Sequence, residues 1–216
     1  MNHQFFISGI STEIGKTMIS AIFVKALEAF YWKPVQSGEL HYSDSMKISE
    51  LAEAPASKIL PEKYRLNFPL SPHASAAIDG KMIQLTDFTL PSPDGHLIVE
   101  GAGGLMVTLN QEELLIDLIQ DLQIPVVLVS QYYLGSINHT LLSIEALENR
   151  GIPIAGIVFN GEKNQASMDF ILHRHPLPVL LEVNQEETFN RITVAHYAAK
   201  LKQNLIDLRM LKQEEE

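Results

Sequence analysis

The chain has 216 residues, of which 46% are hydrophobic and 19% charged, and it contains no cysteine. This is the composition of a globular protein long enough to enclose its own core, and it sets aside the disordered, collagen-like and coiled-coil classes. Sixteen Lys and Arg against 26 Asp and Glu leave a net charge of −10 with no long basic run, which argues against a nucleic-acid partner; the missing cysteines exclude disulfides, thiolate metal sites and a thiol nucleophile.

Short β-branched or aromatic runs alternate with amphipathic stretches, the pattern of βαβ units around a buried parallel sheet. A strand at 4–8 leads to a helix at 16–28, and a strand at 29–32 leads to a helix at 44–52. From 54 to 94 proline and small polar residues dominate, and an irregular excursion too short for a second domain is expected there. Then follow a strand at 96–99, a helix at 112–122, a strand at 125–130 and a helix at 138–149 that Gly151 and Pro153 bring to an end. A strand at 153–159, a helix at 165–173, a weaker strand at 178–181 and a long helix with room for a break at 186–211 complete the series. The three glutamates at 214–216 read as a frayed, solvated end. The first residues lack the basic region of a signal peptide, and no apolar run approaches the roughly 18 residues of a membrane span. A cytoplasmic protein folded as one domain over residues 1–216, with no membrane partner, is expected.

The segments after the strands carry the chemistry, because in a parallel sheet their ends open on one edge, where ligands bind. GISTEIGKT, residues 9–17, stands between a strand and a helix, the context of a phosphate-binding loop. Its backbone NH groups would wrap a nucleotide's phosphates, Lys16 would reach the outer ones, and the Thr17 hydroxyl would hold Mg²⁺. The fold class is therefore α/β of the P-loop NTPase kind, a mostly parallel sheet with helices on both faces. Five residues separate Gly9 from Gly15, where the common loop has four. The competing account is a glycine-capped turn entering an amphipathic helix. HLIVEGAGG, residues 96–104, ends its strand in Glu100, an acid able to reach the metal held by Thr17 in the part usually taken by Asp; alone it would also fit an exposed strand-end glutamate. YWKPVQSG, residues 31–38, brings a second lysine, Lys33, to the same edge. A cation there could stabilise charge on a transferred phosphoryl group or a second substrate, while a lysine snorkelling from an edge strand accounts for this segment equally well. The eight histidines show no metal-ligand spacing and no G-x-S-x-G occurs, so neither a zinc site nor a serine hydrolase is read.

Taken jointly and in order, GISTEIGKT, YWKPVQSG, VEGAGG and LGSINH (residues 134–139) closely resemble the motifs of the dethiobiotin synthetase family, which itself uses the five-residue loop. The resemblance implies an ATP- and Mg²⁺-dependent cyclising ligase of biotin synthesis. Its substrate, 7,8-diaminononanoate, takes up CO₂ as a carbamate, ATP converts the carbamate to a mixed anhydride, and the second amine displaces phosphate. By position, Lys33, Lys16, Thr12 and Ser37 would be catalytic, and Thr17, Asp44 and Glu100 would hold the metal. Glu13, Ile14, Gly15, Lys16, Thr17 and Met18, with Asp44, Glu100, Gly101, Ala102, Gly103 and Asn160, would bind the nucleotide, Asn160 facing adenine. Thr12, Lys33, Ser37 and Gly103 would contact the diamine or its carbamate. Gly135, Ser136, Ile137 and Asn138, from the neighbouring subunit of a homodimer, would bind the substrate's carboxylate with the free NH groups of a helix start.

Two departures stand out. The family's Gly-x-Ile-Pro-x-Leu segment after the last strand is replaced by PVLLEVNQEE, residues 178–187, and the loop from 33 to 44 is short. A nucleotide switch of the partition or septum-positioning kind is the alternative from another class. It would carry an additional lysine early in the loop, where this chain has Ile10 and Ser11, and often a basic membrane helix at its end. A binding module with a dead nucleotide site is the third reading, opposed by the intact Lys16, Thr17 and Glu100.

Overall fold

The computed structural model describes residues 2–212. In chain order it contains β1 (Gln4–Gly9), α1 (Lys16–Leu27), β2 (Phe30–Trp32), β3 (Val35–Ser37), α2 (Asp44–Leu51), β4 (Ile59–Leu60), β5 (Tyr64–Leu66) and α3 (Pro72–Ile78). The second half contains β6 (Leu97–Gly104), α4 (Leu115–Leu122), β7 (Val126–Gln131), α5 (Ser136–Asn149), β8 (Ile154–Asn160), α6 (Gln165–Arg174), β9 (Val179–Val183) and α7 (Arg191–Asp207). Seven strands form one sheet in the order β4-β2-β6-β1-β7-β8-β9, with every neighbouring pair parallel. Among the described residues no helix is long and apolar enough to cross a membrane.

Alternation along the central strands divides the core into two layers. Phe5 and Ile7 of β1, with Ile98 of β6, face the side covered by α1 and α7, where Ile19, Phe23, Val194 and Leu201 are buried. Phe6, with Leu97 and Val99, faces the other side, where α4 contributes Leu115, Ile116, Leu118 and Ile119. Because both faces are covered, these strands are near-continuously apolar, which is why the sequence shows them so clearly.

The stretch expected to be irregular is partly ordered. β4 extends the main sheet beside β2, pairing Tyr31 with Ile59, and β5 pairs in parallel with β3 to form a separate two-stranded sheet. Pro34 breaks β2 from β3, and its carbonyl accepts hydrogen bonds from the Lys63 and Tyr64 amides, which brings β5 alongside β3. Strands of two or three residues are too short to show a period, so this small sheet and α3 escape a pattern-based reading. Helix α4 starts at Leu115, not 112, because the Asn110 side chain accepts from the amides of Glu112 and Glu113 and holds them in a turn. Helix α7 likewise starts at Arg191, where Asn190 caps the amides of Ile192 and Thr193, so residues 186–190 lie outside it. The glutamates at 214–216 lie outside the described residues.

Phe23 is fully buried and meets Phe5 edge-on, 6.1 Å between ring centroids, so it fixes α1 to the sheet. Phe23→Ala is expected to lower unfolding free energy by about 3–5 kcal/mol in urea titrations; a loss below about 1 kcal/mol would show that this layer is loosely packed.

Candidate active site

β1 lies between β6 and β7, so the loop leaving Gly9 emerges at the centre of the sheet edge. The Ile10 amide bonds to the Val129 carbonyl before the chain turns outward. Ile14, the fifth residue between the two glycines, does not face solvent: it is 2% exposed and folds back over Gly9, where an added Cβ would lie 2.3 Å from its Cδ1. Asn160, at the end of β8, donates from Nδ2 to the Ile14 carbonyl at 2.9 Å and ties the loop to a second strand. Gly15 then takes φ +88°, and a Cβ there would meet Asn160 Nδ2 at 2.5 Å, so backbone strain and the Asn160 contact both demand glycine. Helix α1 begins at the next residue. The Lys16 ammonium arches back to donate to the Ser11 carbonyl at 2.9 Å.

The second constellation joins β2 and β6 with the first turns of α1 and α2. Lys33, just beyond β2, donates to Asp44 Oδ2 at 2.6 Å and to Glu100 Oε1 at 2.8 Å. The Thr17 hydroxyl donates to the same Glu100 oxygen at 2.9 Å, and the Tyr31 hydroxyl donates to Glu100 Oε2 at 2.9 Å. Lys33 is 5% exposed and Glu100 1%, which rules out the solvent-facing accounts of both. Burial alone would lower the Lys33 pKa, but the charges of Glu100 and Asp44 outweigh it and push the ammonium above its ordinary value. For Asp44, burial pulls upward and Lys33 pulls further downward, so its carboxyl sits below the usual range. Tyr31 is held well above the ordinary phenol value by burial and then by Glu100, so its hydroxyl remains a donor. Lys16 goes the other way. Burial first, and the Lys33 charge second, lower it to about 8.

Both constellations line one cavity of about 820 Å³, together with Thr12, Glu13, Met18, Ser37, Ala102 and Gly103. The expectation that Lys16, Lys33, Thr17, Asp44 and Glu100 share one edge of the sheet is met. Four groups of predicted residues stand apart from that wall. Ile14 has its side chain in the core and does not line the cavity. The Gly101 α-carbon faces Phe6 and Leu115, so this glycine serves helix packing and not close approach to a ligand. Asn160 has its amide committed to Ile14. Gly135, Ser136, Ile137 and Asn138 begin α5 away from the cavity, beside Leu134, which is fully exposed.

Sequence reasoning missed Gln36, Lys47 and Tyr31. Gln36 is 4% exposed; it donates to the Gly38 carbonyl and accepts from the Asp44 amide, clamping the short loop that delivers Asp44. Lys47 bridges Glu39 at 2.6 Å and approaches Asp44 at 3.5 Å, a spacing of three on α2 that the sequence does contain. The replaced segment after β9 is also held: the Asn184 amide donates to the Tyr197 hydroxyl, which donates to Glu186 at 2.5 Å.

The lowered Lys16 pKa has a sign that can be tested. Below pH 8 the folded protein carries an ammonium disfavoured by burial and by Lys33; between about 8 and the ordinary 10.5 the unfolded chain binds more protons, so stability attributable to Lys16 rises with pH. Lys33 contributes oppositely, stabilising up to its ordinary range and losing that contribution only above it. Lys16→Met is therefore expected to raise Tm at pH 7, at about 2–4 °C per kcal/mol relieved in a chain of this size, with the gain shrinking by pH 10. A Tm unchanged at pH 7, or a gain independent of pH, would contradict the assignment.

Comparison with known proteins agrees with this geometry. A family described as an AAA domain matches residues 3–193. The ATP-dependent dethiobiotin synthetase of Christiangramia forsetii is 44% identical over 208 residues, covering 96% of this chain and all of that one. Its counterpart in Cytophaga hutchinsonii is 47% identical, with 93% and 98% covered, and that of Agrobacterium fabrum 49% identical, with 76% and 78% covered. Among solved structures, a plasmid partition protein of Borrelia burgdorferi bound to AMPPNP superposes with a TM-score of 0.59 at 10% identity, covering 97% of this chain and 99% of that one. The Aquifex aeolicus MinC:MinD complex gives 0.56 at 10% identity, with 99% and 98% covered; these likenesses concern the fold alone. With identities of this size running almost end to end, and with the loop, its lysine and the buried Lys33 cluster at one sheet edge, the chain belongs to the dethiobiotin synthetase family of ATP-dependent ligases.

Proposed function

We propose that this chain closes the ureido ring of dethiobiotin from 7,8-diaminononanoate, CO₂ and ATP in the cytoplasm, as one domain spanning residues 1–216. The observation that supports it most is Lys33. It stands across one cavity from the nucleotide loop, its charge fixed by the buried Glu100 and the partly buried Asp44, an arrangement that phosphate binding alone does not require.

The order of events follows from charge. One amine of the diamine adds to CO₂, forming a C–N bond and releasing a proton. The resulting carbamate oxygen attacks the γ-phosphorus, the bond to the ADP oxygen breaks, and a carbamic–phosphoric anhydride forms. The second amine then attacks its carbonyl carbon and expels phosphate. Carbamate and triphosphate repel each other, so the task of the protein is to hold them in line and to offset charge as it develops. Lys16 and the NH groups of residues 13–18 grip the phosphates. Lys33 faces the carbamate and the transferred phosphoryl, while Thr12, Ser37 and Gly103 border the reacting end of the diamine. Asn160 at the loop supports the adenine side.

Thr17, Asp44 and Glu100 suit Mg²⁺: they are hard oxygen donors, and the two carboxylates already enclose a cation, the Lys33 ammonium. When bound, Mg²⁺ would neutralise β- and γ-phosphate charge. The substrate's far carboxylate is assigned to Gly135, Ser136, Ile137 and Asn138 of a second copy in a homodimer. Supporting this, apolar Leu134 just before that helix start and Leu142 further along the same helix are exposed. A nucleotide switch of the partition kind shares the fold, but Ile10 stands where its additional lysine would be, and Ile10 packs into the core.

Phosphate release from ATP, Mg²⁺ and bicarbonate is expected only when the diamine is present; equal release without it would favour the switch. Lys33→Gln, which keeps a donor toward both carboxylates, is expected to cut turnover by about 10²–10³ with ADP affinity within a few fold. Turnover at the unsubstituted rate would remove Lys33 from the mechanism.

A further inference from the structure

Tyr31 belongs to no motif of the site, yet its position is specific. It pairs in register with Ile98, two residues before Glu100, so its side chain leaves the sheet on the face that Ile98 and Glu100 share. The ring packs in the layer under α1 and is wholly inaccessible to solvent. Its hydroxyl, which no water can reach, donates to Glu100 Oε2 at 2.9 Å. The other oxygen of that carboxylate, Oε1, receives Thr17 and Lys33. The division of labour is therefore complete: one oxygen faces the cavity and the other is fastened from behind.

A glutamate has three rotatable side-chain bonds, and an unfastened carboxylate could turn Oε1 away from Thr17. The phenol at its rear removes that freedom and leaves the cavity-facing oxygen aimed at the same point as Asp44 and the Thr17 hydroxyl. Hydrogen bonds from behind of this kind orient metal-ligating side chains and tune their affinity. We infer that Tyr31 is a positioning residue, fixing the orientation of Glu100 through Oε2 so that Oε1 is presented to the divalent cation and to Lys33. The inference rests on the metal role proposed above for Glu100. It also explains a polar atom placed in an otherwise apolar layer, where phenylalanine would fill the same volume.

The test uses the full-length chain with ADP and Mn²⁺ as probes, free Mn²⁺ being read by its electron paramagnetic resonance signal. Tyr31→Phe retains the ring, and thermal unfolding verifies the fold. Mn²⁺ affinity of the ADP complex is expected to fall about ten-fold in Tyr31→Phe, while ADP affinity measured in EDTA stays unchanged. In a Glu100→Gln background the same substitution is expected to add nothing, because the hydroxyl acts through that carboxylate. Unaltered Mn²⁺ affinity in Tyr31→Phe, beside normal binding by the unsubstituted protein, would overturn the positioning role and leave the metal reading standing. So would an equal fall in metal-free ADP affinity, which would mark a general structural defect. Failure of the unsubstituted ADP complex to bind Mn²⁺ would overturn the metal reading and this inference with it.

Discussion

One ammonium group sets the terms for the rest of the site. Lys33 is buried between the buried Glu100 and the partly exposed Asp44: removing the ammonium would strand the Glu100 charge away from water, typically at a cost of about 3–5 kcal/mol. The elements around it read as provisions for that cluster. β2 and β6 are adjacent and Trp32 pairs with Val99, which brings Lys33, just past the end of β2, level with Glu100 within β6. The loop clamped by Gln36 returns Asp44 to the same point. Thr17, on the first turn of α1, links the cluster to the phosphate loop through Glu100. The phosphate loop and the Lys33 cluster are thus mechanically joined through a single carboxylate.

The phosphate loop has its own dependence on the sheet. A longer loop has more ways to be wrong, and this one is held by filling its inside. Ile14 occupies the space over Gly9, its carbonyl is held by Asn160, and the chain can enter α1 only by way of left-handed Gly15. The fifth residue is consequently a core residue that belongs to the loop, and the loop's amides are aimed by hydrophobic packing as much as by hydrogen bonds.

Much of this was legible in the sequence because long-range order there has local signatures. Buried parallel strands such as Val126–Gln131 are short apolar runs, Lys16 follows a glycine that ends a loop, and Lys33 stands directly after β2, whereas β6 runs on through Glu100 to Gly104, past the point where the apolar run stops. Most of what could not be read depends on a partner remote in sequence. Nothing local marks Ile59–Leu60 as a strand, since its identity comes from pairing with β2. Tyr31 reads as one more aromatic in a strand until Glu100, 69 residues away, is placed beside its hydroxyl. Gly101 invites a ligand-approach reading because of the glycines around it, whereas Phe6 and Leu115 are what it accommodates. The starts of α4 and α7 moved for a different, local reason: Asn110 and Asn190 capture amides which periodicity alone would have given to the helix.

For the proposed reaction a chain of net charge −10 would have to bring together a triphosphate and a carbamate, so attraction would have to be local. The cavity carries three lysines, and they differ in how they are held. Lys33 is saturated by carboxylates, Lys47 is shared between Glu39 and Asp44, and Lys16 donates to a backbone carbonyl. Lys16 alone is therefore left with charge to spare, which is why burial and Lys33 push it toward deprotonation in the free protein. An arriving phosphate would reverse that by supplying the missing counter-charge in a nearly dry setting, where such a contact is strong. In the proposed role the discomfort of Lys16 without ligand and its grip on phosphate would be the same electrostatic fact, while the Lys33 charge is already compensated by Glu100 and Asp44.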